Sequence, residues 1–268
     1  MWINKPAVWG PLHIISFALA ALVLVVGFML GKKYEDEKYD QKKDLILTIY
    51  GFALVALEIF KEIFIVITTK TYDLTLIPFQ ICSTPMYILP FIMFVKNKTI
   101  KSAMLGYLAF VAIIAGFFYF VKPVAMLNAD YVIMSFHSLL WHESLLLCAA
   151  FTMTSYRMVE KGSIKTLMTS NILFMIFAII AIILNFALRN INPASELNLF
   201  YISYYNIEYV KPFNYPILSL INKTQRPYVL YIFEYFIYIA LGTLMFYGLG
   251  YGINWLINRK KAKTNSNK

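Results

Sequence analysis

Seven stretches of about 20 mostly apolar residues constrain this chain more than any other feature. They fall at about 12–30, 45–67, 76–95, 100–121, 131–154, 165–188 and 228–257. A helix needs ~20 such residues to cross the hydrocarbon core of a bilayer. No water reaches the backbone there, so an apolar run of this length must satisfy its own amides as a helix. The reading is an all-α, polytopic membrane bundle of seven transmembrane helices, one integral membrane domain over residues 1–268. Composition agrees: 60% of the residues are hydrophobic and 14% charged, against roughly a quarter charged in a soluble domain. The first stretch is too long for a signal peptide, and "GFMLGKKYEDE" makes a poor cleavage site.

Basic residues set the expected orientation. The connections 31–44, 96–101 and 155–165 and the C-terminal tail hold sixteen Lys and Arg, and the alternate connections hold seven. By the positive-inside rule the N-terminus lies outside and the C-terminus inside. The net charge of +10 then reflects topology and attraction to anionic lipid heads. It gives no sign of nucleic acid, because no basic patch interleaved with aromatics exists outside the connections. Membrane lipids are the expected partners. The 189–227 connection is rich in Asn, Tyr and Pro and too long for a bare connector. Its tyrosines predict an extracytoplasmic interfacial segment, with a lid over a site as the sharper alternative.

Ionisable groups at membrane depth default to a functional reading. With ~1.5 Å rise per residue, the expected helices place most of theirs in one slab. Helix 45–67 carries Glu58, Lys61 and Glu62 on one face. Helix 76–95 carries Gln80 and Cys82, the latter ~9 Å below its outer end. Helix 131–154 carries His137 at ~9 Å and His142 at ~16 Å, followed by Glu143. Asn185 and Glu234 sit near the outer ends of the last two helices, and Asn171 is the exception in the inner half. Five helices thus direct polar groups to the outer half of the membrane, which predicts a shared polar cavity.

The parts for nucleophilic catalysis are present. A thiol attacks as the thiolate, a histidine can take its proton, and a carboxylate can orient that histidine. Cys82, His142 or His137, and Glu58 or Glu234 supply those types; Gln80 or Asn185 could donate to an oxyanion. His137 and Glu62 join them as candidate substrate contacts. Cys148 reads as packing, and the two cysteines suggest neither a disulfide framework nor a metal spacing. His137 and His142 are five apart and do not stack as helical ligands do, so no metal is expected. No Gly-rich phosphate loop and no G-x-S-x-G elbow appears, so no cofactor is expected.

"LIPFQICSTPMYILPFIMF" (76–94) resembles the L-P-[LF]-[QH]-[LI]-C signature of the YwaF family of bacterial integral membrane proteins. "WHESLLLCAAFTMTSYR" (141–157), "LNFALRNIN" (184–192) and "RPYVLYIFEYF" (226–236) are similar to further family segments and come in the same order. The chain departs from the pattern at Ile77, Ser83 and Glu143. The resemblance implies a multi-pass protein of the bacterial plasma membrane. The family's eukaryotic relatives, the transmembrane-protein-164-like group, imply phospholipid acyl transfer through a cysteine acyl-enzyme, with Cys82 as nucleophile and His142 in preference to His137 as its base. Two other readings remain from the residues. One is a binder or proton-coupled transporter using Glu58, Glu62 and Glu234. The other is a non-catalytic membrane subunit.

Overall fold

The computed structural model describes residues 9–121, 131–160, 164–191, 197–204 and 228–266. Helix α1 (Pro11–Lys33) opens on a proline, whose missing N–H is no loss in the first turn, and closes on Lys32 and Lys33, which complement the dipole. Helix α2 spans Asp40–Thr69 and ends with Lys70 in the left-handed region. A short helix α3 (Pro85–Ile88) continues as a 3-10 turn over Leu89–Phe94. Helix α4 (Lys98–Gly106) is capped by Asn97, whose side chain accepts from Thr99 and Ile100 N–H. A π turn, Tyr107–Val111, joins α4 to α5 (Ala112–Val121). Helices α6 (Val132–Ser155), α7 (Ile164–Ile191) and α8 (Tyr228–Ser266) complete the bundle. No strand occurs among the described residues.

Among the described residues, five helical stretches are long and apolar enough to cross a membrane: Pro11–Lys33, Lys98–Phe117, Val132–Ser155, Ile164–Ile191 and Tyr228–Gly252. The expectation of seven differs at two places. Helix α2 is long enough but carries Glu58, Lys61 and Glu62 within its apolar part. The stretch 76–95, expected as one continuous helix, is broken. Pro78, Pro85 and Pro90 each lack an N–H and clash with the preceding turn, and only Pro85–Phe94 is helical. This broken segment still runs antiparallel to α2. Lys61 Nζ meets Leu76 O at 3.3 Å, Gly51 abuts Leu89 and Pro90, and Thr48 Oγ1 accepts from Met93 N–H at 3.2 Å.

Connections 31–44, 96–101 and 155–165 meet at one end of the bundle. Lys43 is 2% exposed; its ammonium donates to Ser155 O at 3.1 Å, pairs with Asp40 at 2.5 Å and lies 4.9 Å from the centre of the Tyr156 ring. Asp44 pairs with Lys101 and accepts the Tyr156 hydroxyl at 2.7 Å. The broken segment's non-helical part lies toward the opposite end, alongside the second half of α2.

Helix α6 is the hub, buried along most of its length. Helix α1 docks on it through two glycines one turn apart, the small-xxx-small contact of membrane helices. A Cβ on Gly27 would stand 2.8 Å from Ala150 Cβ, and one on Gly31 2.7 Å from Thr154 Cβ. Gly31→Leu is expected to lower stability by about 1–3 kcal/mol through overpacking. Gly248→Leu, where a Cβ meets nothing within 4 Å, should leave it within about 0.5 kcal/mol. Thermal unfolding in detergent reads both; equal midpoints for the two variants would refute the docking geometry.

Candidate active site

Breaking the 76–95 stretch creates the site. Residues Ile77–Thr84 leave regular helix just where the cysteine sits, and their turn is closed by Ser83 N–H to Gln80 O at 2.9 Å and Thr84 N–H to Gln80 O at 3.2 Å. Two contacts from neighbouring helices fix it. The Trp141 indole of α6 donates to Cys82 O at 3.0 Å, and Thr84 Oγ1 meets the Tyr107 hydroxyl, carried by the π turn, at 2.5 Å. Cys82 is a buried free thiol.

His142 is the residue after that tryptophan. Its Nδ1 lies 2.6 Å from Ser138 O. A carbonyl only accepts, so Nδ1 carries the proton and Nε2 keeps a lone pair. Nε2 is buried and has no hydrogen-bond partner among the described residues. The Tyr119 ring of α5 lies against the imidazole, centroids 4.0 Å apart. His137, one turn earlier, donates from Nε2 to Leu57 O at 3.1 Å and stacks on Trp141 at 5.9 Å.

Cys82 and His142 line one cavity of about 500 Å³. Its walls come from the second half of α2 (Glu58, Lys61, Ile65), the turns after it (Asp73, Thr75, Leu76), the broken segment (Pro78, Gln80, Ser83), Tyr119, and α6 (Tyr131, Met134, His137, Trp141). The family model for the TMEM164 family matches residues 8–249. The chain belongs to this family. No curated protein and no solved structure matches it. Family membership and five apolar helices together make it a multi-pass integral membrane protein.

Within this TMEM164-family protein the expected site residues divide. Cys82, His142, His137, Glu58 and Gln80 line the cavity. Glu62, Asn185 and Glu234 do not. Glu62 lies beside it, pairing with Lys61 at 3.0 Å. Glu234 is buried on α8 and accepts the Tyr238 hydroxyl at 3.0 Å. Asn185 clamps the backbone of Leu199, donating to its carbonyl at 3.0 Å and accepting from its N–H at 2.9 Å. Gln80 does the same work from the cavity wall, donating to Asn198 O at 3.1 Å and accepting from Phe200 N–H at 2.8 Å. Each amide thus gives one N–H and its oxygen to backbone. The group bonded to His142 differs from expectation. It is the Ser138 carbonyl, where Glu58 or Glu234 was the anticipated partner. No cluster of three or more His, Cys, Asp and Glu side chains able to hold a metal occurs among the described residues.

Of the 189–227 connection, expected as an interfacial segment, 192–196 and 205–227 lie outside the described residues. Residues 197–204 form a plug whose Leu199, Phe200 and Ile202 are fully buried. The sequence reasoning passed over Trp141, Ser138, Tyr119 and Tyr107. Trp141 had a signal, an indole beside the candidate base. The other three had none, because their roles depend on which helices meet.

Lys61 pairs with both Glu58 and Glu62. Glu58 is 5% exposed, so removing its cation leaves a buried charge uncompensated. Lys61→Met is expected to destabilise the protein by about 3 kcal/mol, and adding Glu58→Gln should restore much of it. Unfolding of the purified variants in detergent checks this; a fully stable single variant would contradict the pairing.

Proposed function

We propose that this chain is an acyl-transfer enzyme of the bacterial plasma membrane, acting on membrane lipids through a Cys82–His142 pair. One observation carries the reading. Cys82 lines the same cavity as an imidazole whose Nδ1–H is held by a backbone carbonyl and whose Nε2 meets no partner among the described residues. A base needs an accessible lone pair, and a bond to the opposite nitrogen holds it ready; Nε2 and the Cys82 thiol share the cavity without a hydrogen bond between them.

The steps balance without a cofactor. His142 Nε2 takes the Cys82 thiol proton as the sulfur attacks the ester carbonyl of a lipid. The ester C–O bond breaks, the leaving oxygen takes the proton from His142, and a thioester remains on Cys82. Water or the hydroxyl of a second lipid then attacks the thioester. His142 accepts its proton and returns it to the departing thiolate. His137 and Glu58 shape the wall, with Lys61 neutralising the carboxylate. Glu62, Asn185 and Glu234 act as supports in this reading.

We also place the N-terminus outside and the C-terminus inside, with seven passes counted to include α2 and the broken segment. The meeting of connections 31–44, 96–101 and 155–165 at one end supports that alternation, and their basic residues put that end in the cytoplasm. The cavity, at the opposite end of α2, then opens in the outer half. A broken span also occurs in solute carriers, which keeps a transport reading in which Glu58 binds the solute. Uptake into proteoliposomes that survives Cys82→Ala and fails in Glu58→Gln would favour it.

The test is direct. Purified protein incubated with acyl-labelled phospholipid is expected to acquire hydroxylamine-sensitive label. Cys82→Ala should abolish the label, and His142→Ala should slow its appearance by about 10²–10⁴-fold. Equal labelling of Cys82→Ala and wild type would end the proposal.

A further inference from the structure

The tyrosine-rich plug has a use that the proposed reaction leaves unassigned. Phe200 and Tyr201 both adopt left-handed backbone angles, with φ of 57° and 58°. Side chains with a Cβ avoid this region, and such residues persist where their surroundings over-determine them. The surroundings here do so. Asn185 and Gln80 hold the backbone before the turn, the Tyr231 hydroxyl donates to Tyr201 O, and the Tyr228 hydroxyl donates to Ile202 O at 2.6 Å. This turn brings the Tyr201 hydroxyl to the Tyr119 hydroxyl, at 2.8 Å. The Tyr119 ring in turn is the face against which His142 rests, at 4.0 Å.

We infer that Tyr119 is a positioning residue for His142, and that Tyr201 anchors it from the plug. The Ser138 bond holds one edge of the imidazole but leaves the ring able to swing about that contact. A second constraint on its face fixes where Nε2 points. Tyr119 supplies that face, and its own tilt is set at the far end by Tyr201. The plug thereby reaches the base without lining the cavity, since Tyr201 is absent from the cavity wall and Tyr119 is part of it. The inference rests on the acyl-transfer reading for its kinetic consequence and on geometry alone for its structural one.

The experiment separates the two. Tyr119→Phe and Tyr201→Phe each remove one hydroxyl and keep the ring. Each is expected to slow single-turnover thioester formation about three- to ten-fold, with the lipid concentration at half-saturation unchanged. Because both break the same bond, the double variant should be no slower than the slower single one. Tyr119→Leu, which removes the face, should be slower still. Single variants at the wild-type rate, or a double variant whose loss is the product of the two, would overturn the inference. Carbethoxylation of His142 by diethyl pyrocarbonate, located by peptide fragmentation, gives a readout that needs no activity. Its rate should change several-fold in Tyr119→Leu; an unchanged rate overturns the positioning role whatever the enzyme assay shows. If that rate moves while the wild type forms no thioester, positioning stands and acyl transfer falls.

Discussion

A backbone amide removed from water must find a partner inside the protein, and this requirement organises the structure. Two segments, 77–84 and 197–204, leave regular helix within the bundle. Single turns satisfy some of their N–H and C=O groups, such as Ser83 N–H to Gln80 O and Ile202 N–H to Leu199 O, and leave others without a backbone partner. Irregular backbone survives at membrane depth only where protein surrounds it. Here the surroundings are side chains: Gln80 and Asn185 bond Asn198, Leu199 and Phe200, Trp141 bonds Cys82, and Tyr228 bonds Ile202. Without those bonds neither segment could stay buried, and the cavity between α2, α5 and α6 would have no floor.

This requirement sorts the polar groups of the bundle. A side-chain amide that gives one bond to a residue's C=O and takes one from its N–H is committed to holding backbone, as Asn185 is to Leu199. Lys61 is committed to Glu58, Glu62 and the Leu76 carbonyl. After those assignments, the cavity wall retains a thiol and an imidazole nitrogen that the fold does not otherwise employ.

Much of the fold was legible in the residues, and for an identifiable reason. A span of ~20 apolar residues has one low-energy answer in a bilayer, so Pro11–Lys33, Val132–Ser155, Ile164–Ile191 and Tyr228–Gly252 lie close to their expected ranges. The break at 77–84 was written in Pro78, Pro85 and Pro90, but apolarity over the same stretch outweighed it. The helix expected there put Cys82 and His142 at heights ~7 Å apart. In the loop that replaces it, the cysteine is free of helical rise and meets the histidine's cavity. The plug could not be foreseen, because the long tyrosine-rich stretch reads equally well as an interfacial layer. Roles of Ser138 and Tyr119 follow from helix contacts alone.

The three histidines show why burial by itself says little about function. His13 is fully buried, accepting from Trp9 N–H at Nδ1 and donating to Phe120 O from Nε2. Both its nitrogens are engaged, so it behaves as a rivet between α1 and α5. His137 donates from Nε2 to Leu57 O, tying α6 to α2, and is stacked on Trp141. His142 alone pairs a committed Nδ1 with a buried Nε2 that meets no partner among the described residues. An unpaired buried acceptor carries a desolvation penalty of about 1–3 kcal/mol. The fold holds that nitrogen against a cavity that also contains a thiol. A substrate or the thiol proton arriving in the cavity relieves the penalty, which makes the unpaired nitrogen a reason for the pocket to be filled.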